Sequence, residues 1–158
     1  LFVQYKFPLT NKIYAGLFTS TSYMNARYIK GEVTDGTKNQ SIVGNRVEAV
    51  PQWISRNGLD LLYKGFGCTI LYNYTSSSFS DALNTPNAPV NGAKGYTPGY
   101  SIWDFNMYIR TNSVLTIRAG VSNIFDRQYF TKRPTFYPGP GIWPSDGRNF
   151  YVTVGVKI

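Results

Sequence analysis

The chain has 158 residues, enough for one domain with its own core. Its 16 Lys and Arg outweigh 8 Asp and Glu, but the basic residues are scattered and form no run, which speaks against nucleic-acid binding. Cys68 is the single cysteine and there is no histidine, which excludes an internal disulfide, a cysteine zinc cluster, imidazole metal sites and Ser-His or Cys-His catalysis. No cofactor or metal is called for.

Aromatic residues make 16% of the chain and charged residues only 15%, where a soluble protein carries about 25%. Mean hydropathy is nevertheless negative, and no apolar run approaches the roughly 20 residues of a transmembrane helix. Strands alternating between lipid and water average out in this way. An aromatic-rich soluble sandwich gives a similar average, so composition leaves both open. The chain begins without Met, without a basic-then-apolar leader, and already strand-like in "LFVQYKF", as if it were the inside or end of something larger.

Seven strands are expected. The first, about Leu1 to Phe7, stops at the turn formers of "PLTNK". The second, about Ile13 to Ala26, sets Ile13, Ala15 and Leu17 opposite Gly16, Ser20 and Ser22. The polar stretch "RYIKGEVTDGTKNQSIVGNR" then reads as a long loop. The third strand, about Glu48 to Tyr63, has Trp53, Leu59, Leu61 and Tyr63 on one side and Gln52, Arg56, Gly58 and Asp60 on the other. Across "YKGF" follows the fourth, about Phe66 to Ser76, alternating Phe66, Cys68, Ile70, Tyr72 and Tyr74 with smaller or polar residues. After a second long polar stretch, the fifth, about Tyr100 to Thr111, turns Trp103, Phe105, Met107 and Ile109 away from Asp104, Asn106, Tyr108 and Arg110. "RTNS" leads tightly into the sixth, about Val114 to Phe125, with Arg118 on its polar side, and a third long loop leads into "FYVTVGVKI".

The connections alternate short and long, as expected when antiparallel strands cross a membrane with tight turns on one side and extended loops on the other. Strands of roughly 10 to 14 residues suit a tilted crossing better than a soluble sheet. Tyr63, Phe66, Tyr100, Trp103 and Phe125, near strand ends, suit an interfacial girdle. Arg56, Asp60, Asp104, Arg110 and Arg118 would each cost several kcal/mol in a dry core unless paired. In a wet lumen that cost largely disappears. The apolar faces are therefore expected to meet lipid, and these five charges to face a lumen, with the arginines paired to Asp60, Asp104 or a plug.

"SNIFDRQYF" and "YPGPGIWPSDGRNF", with weaker support from "YMNARYIKG", "GNRVEAVPQW" and "LYNYTSSSFSDALNT", resemble the C-terminal end of TonB-dependent outer-membrane receptors of the ferric-citrate type, as found among the Bacteroidetes. The resemblance implies an all-β, antiparallel transmembrane barrel of 22 strands, of which these are the last six to seven. It further implies a Gram-negative outer-membrane location, an iron-chelate ligand, and energy from TonB through an upstream plug that this chain lacks. Its partners would be the remainder of the barrel, outer-membrane lipid and lipopolysaccharide. The chain departs from the pattern at Ile158, where an aromatic residue is expected.

Physically, "SNIFDRQYF" reads as a place where a strand becomes a loop, with Phe125 an anchor and Asn123 and Asp126 bonding freed backbone groups. The Pro-Gly run reads as a shaped loop. Arg127, Lys132, Arg133 and Arg148 make the last loop cationic, and Arg133 and Arg148 are the expected captors of an anionic chelate, since guanidinium matches carboxylate. Contact with lipopolysaccharide phosphates is the competing role for these cations. "GFGC" lacks the Lys and helix of a phosphate loop. A complete eight-stranded outer-membrane barrel and a soluble sandwich binding module are the competing architectures.

Overall fold

The computed structural model describes residues 1–36, 38–111, 114–135 and 139–157. Asn112 and Ser113 of the expected "RTNS" turn, Tyr137 and Pro138 of the Pro-Gly run, and Ile158 lie outside them. In chain order the strands are β1 (Phe2–Pro8), β2 (Ile13–Tyr23), β3 (Glu32–Asp35), β4 (Lys38–Ser41), β5 (Trp53–Tyr63), β6 (Phe66–Thr75), β7 (Ser78–Phe79), β8 (Tyr96–Thr97), β9 (Tyr100–Thr111), β10 (Leu115–Ser122), β11 (Phe130–Lys132), β12 (Trp143–Pro144) and β13 (Asn149–Val156).

Seven of these make one antiparallel sheet in the order β1-β2-β5-β6-β9-β10-β13, and these are the seven expected strands. The sheet does not close on itself, because β1 and β13 are each paired along one side only. It is neither a sandwich nor a closed eight-stranded barrel. The third and sixth strands are shorter than expected. Before Trp53, Ala49 takes a φ of 57°, and after Ser122, Asn123 takes 52°, left-handed conformations that end an extended run. The long connections contain the small ribbons β3-β4, β7-β8 and β11-β12, where the sequence suggested only loop.

Pairing sets the faces, because directly opposed residues point the same way. Leu17 pairs with Leu59, Leu59 with Ile70, Ile70 with Phe105, Phe105 with Val121, and Val121 with Phe150, giving an unbroken apolar row across six strands. Arg56, Asp60, Asp104, Arg110 and Arg118 all fall on the opposite face. Phe105, Ile117 and Val154 do not converge in a sealed interior. Among the described residues no large side chain is fully buried, and Val154 is 61% exposed.

Aromatic residues border the apolar face along inclined lines. Tyr23 packs on Trp53 (4.6 Å between rings), Tyr72 on Trp103 (4.8 Å), and Trp103 edge-on to Phe125 (6.4 Å). Phe150 is level with Leu59 in the ladder, so the upper border drops six residues between β5 and β13. At about 3.3 Å per residue and about 4.8 Å per strand, six residues over four gaps is a tilt of about 45°. Along β5 the band runs from Trp53 to Tyr63. Ten rises of about 3.3 Å, projected at that tilt, give a height of about 23 Å, close to the apolar band of outer-membrane barrels.

One expected girdle member is misplaced. Tyr100 pairs with Thr75 on the polar face, an odd number of residues from Trp103, so strand periodicity turns it away from the girdle. The apolar face also carries a polar island in which Thr21 bonds Ser55 (2.7 Å) and Thr19 (3.2 Å), and Asn57 donates to Ser55 (3.1 Å). These groups satisfy one another.

Candidate ligand-binding cleft

The polar face is shaped by glycines beneath rings. A Cβ on Gly58 would meet the Phe18 ring at 2.1 Å, and one on Gly120 the Tyr151 ring at 2.4 Å. These rings therefore lie over the neighbouring strand. Towards the long-loop end, the last loop arches back over this face and borders an open cleft of about 970 Å³. Arg56, Asn73, Tyr100 and Asp104 belong to its floor, and Tyr129, Lys132 and Trp143 to its roof.

The two strongest sequence motifs are two halves of one clasp that holds this roof. Asn123 is 4% exposed. Its side chain accepts from the Arg127 N–H (2.9 Å) and donates to the Arg127 carbonyl (3.0 Å), while its own N–H donates to Asp104 (2.8 Å). Asp126 accepts from the Arg148 N–H (2.8 Å), and a Cβ at Gly147 would stand 2.8 Å from the same carboxylate. The Ser-Asp-Gly-Arg run is thereby seated on the Asn-Ile-Phe-Asp turn. Ser145 N–H donates to the Tyr129 carbonyl (3.0 Å), and Tyr129 stacks 4.4 Å from Tyr100. The expected structural role of Asn123 and Asp126 is what the geometry contains, and Phe125 stands 73% exposed on the apolar side.

The long loops are tied to each other. Arg46 and Asn84 exchange hydrogen bonds (both 2.7 Å), and the Arg46 guanidinium donates to the Ser77 carbonyl (3.0 Å), joining the first loop to the second. Arg133 donates to the carbonyls of Tyr96 (3.2 Å) and Gly92 (3.1 Å) and lies 4.8 Å from the Phe130 ring, joining the second to the third. In the first loop Tyr28 donates to Glu48, and that bond holds its phenol above the usual 10.0.

Of the four loop cations, Lys132 alone lines the main cleft. Arg133 is taken up by loop carbonyls, Arg148 donates to the Ile124 carbonyl (3.3 Å), and Arg127 borders a separate hollow of about 100 Å³ beneath Tyr129. Of the five polar-face charges, Arg56 and Asp104 reach the cleft, while Arg110 and Arg118 lie towards the short turns. Among the described residues neither Asp60 nor Asp104, two of the three partners expected for the arginines, pairs with them. The one ion pair among the described residues is Lys94 with Asp35 (3.7 Å). Both acids have nearer neutral donors, Thr69 for Asp60 (2.6 Å) and Asn73 for Asp104 (3.1 Å). Sequence reasoning missed Asn73, Tyr129 and Trp143 as cleft residues. For Asn73 the strand alternation carried the signal; for the other two it lies in the pairing of β11 with β12, which no local pattern displays.

No protein-family model matches the sequence. Among solved structures, the chain is similar to the ferric citrate transporter FecA in its unliganded form, with a TM-score of 0.71, 24% identity and 90% of this chain covered. The siderophore receptor PiuA from Acinetobacter baumannii gives a TM-score of 0.65, with 20% identity over 92% of this chain. The ferric yersiniabactin uptake receptor FyuA from Yersinia pestis gives 0.64, with 15% identity over 98%. The chain spans about a fifth of the length of these proteins, with 21%, 19% and 22% of them covered. Its fold is that of a part of the β-barrel of these proteins.

Proposed function

We propose that this chain is the C-terminal barrel portion of an outer-membrane receptor that takes up an anionic ferric chelate, ferric citrate being the first candidate. The observation that carries the reading is the two-sided sheet: an exposed apolar band about 23 Å high, backed by a polar face with a roofed, cation-bearing cleft. A carboxylate-bearing chelate suits Arg56 and Lys132, with Tyr100, Tyr129 and Trp143 offering flat apolar contact. In this reading the free edges of β1 and β13 accept the remaining strands, a plug stands inside the completed barrel, and TonB supplies energy through it. The apolar band lies in the outer membrane of a Gram-negative bacterium, with Arg127 and Arg148 near the lipopolysaccharide headgroups. Import then proceeds by binding and plug movement, without a chemical step.

Trp143 supplies the test, since an iron chelate bound beside it quenches its emission. Titrating ferric citrate, and separately ferric catecholate and hydroxamate complexes, into the intact receptor should give saturable quenching that Trp143→Phe removes. The double variant Arg56→Gln, Lys132→Gln should weaken the anionic chelates by about tenfold or more. Equal binding in that variant, or no quenching by any ferric chelate, overturns the reading.

A further inference from the structure

The polar face holds a second hollow, of about 590 Å³, at the opposite end from the roofed cleft. It is bordered by Arg110 on β9, Arg118 on β10 and Lys157 just past β13, with Thr116, Thr153 and Gly155 between them. The register fixes this grouping. Thr116 is opposite both Arg110 and Gly155, and Arg118 is opposite Thr153, so the two guanidinium groups stem from diagonal positions about 7–8 Å apart on adjoining strands. Gly155, across Thr116 from Arg110, puts no side chain into the hollow, and a Cβ there would find its nearest neighbour 3.7 Å away.

Three cations on one face need counter-charge, and the chain offers little. Of its eight acidic residues, Asp60 alone lies in the half of the sheet towards the short turns; it sits on β5 and is held by Thr69. Among the described residues no side-chain hydrogen bond or ion pair engages Arg110, Arg118 or Lys157. All three are exposed; Arg110 and Arg118 stem from ladder positions and the Lys157 N–H is held by the Val114 carbonyl (2.8 Å), so an arriving anion needs little rearrangement of the backbone beneath them.

We propose that this hollow is a binding site for a small polyanion, a di- or tricarboxylate or a phosphate, held by Arg110, Arg118 and Lys157 with the Thr116 and Thr153 hydroxyls as further donors. Guanidinium pairs offer bidentate contacts to either oxyanion. The site stands apart from the roofed cleft and does not depend on iron transport.

The test titrates citrate, inorganic pyrophosphate and acetate into the full chain in detergent micelles by calorimetry. Saturable binding of citrate or pyrophosphate, with acetate failing to saturate, is expected; whichever of the two binds tighter identifies the source. Arg110→Gln with Arg118→Gln should weaken it by about tenfold or more, while Arg110→Lys with Arg118→Lys, which keeps the charges, should retain most of it. Lys12→Gln with Lys64→Gln, which removes two cations from the short turns, should leave binding unchanged. Absence of saturable binding, or equal weakening by that control pair, overturns the proposal.

Discussion

Replacing Ile70 with arginine separates the two faces of the sheet more sharply than any other single change. On β6 the apolar band runs from Tyr74 at one border to Phe66 at the other, and Ile70 is its midpoint, opposite Leu59 and Phe105. An arginine at the bilayer midplane costs about 2–4 kcal/mol. Ile70 is 37% exposed, so losing its lipid contact adds about 0.5–1 kcal/mol, taking full transfer of such a side chain as about 1.5–3 kcal/mol. The sum is about 3–5 kcal/mol. Thr69→Arg, one residue away, enters the polar face beside Asp60 and should cost no more than about 1 kcal/mol, the scale of one hydrogen bond. Urea unfolding of the protein assembled in lipid vesicles measures both. Equal losses, or an Ile70→Arg variant within about 1 kcal/mol of the parent protein, would refute the lipid-facing assignment.

Asn123→Ala removes two side-chain hydrogen bonds at about 1 kcal/mol each and places alanine at a φ of 52°, for a total of about 3–4 kcal/mol. Asn123→Gly loses only the bonds, so its loss should be about half, and faster amide exchange at Arg127 should accompany both. The Tyr28 phenol has its pKa raised by its bond to Glu48, so the folded state favours the neutral form. Its contribution is complete below about pH 10 and disappears as the pH rises through the higher folded value. Limited proteolysis of the first long loop should therefore show an alkaline step in the parent protein that Tyr28→Phe lacks.

The seven long strands and their faces were legible because period-two alternation is a local property, and register only confirms it. The same rule, applied to Tyr100, would have removed it from the girdle; closeness to a strand end had been weighed above parity. The loops were less legible. Arg46 and Asn84 meet 38 residues apart, and Arg133 meets Gly92 at 41, so the ordering of these segments resides in contacts that no window of sequence contains. For the same reason Arg133 read only as a ligand captor, and its bonds to the Tyr96 and Gly92 carbonyls, which join two loops, went unseen. The missing Arg–Asp pairs follow from a related blindness: charge spacing along the chain does not reveal that Thr69 stands directly across from Asp60.

Asp126, on the turn that Asn123 holds, stitches the beginning of the last long connection to its end. A segment whose two feet are sewn together can change its length without disturbing the wall on which it stands. Doubling it adds only about 0.6 kcal/mol of closure entropy. The stretch 134–142 can thus be lengthened or shortened while the ladder beneath keeps its register.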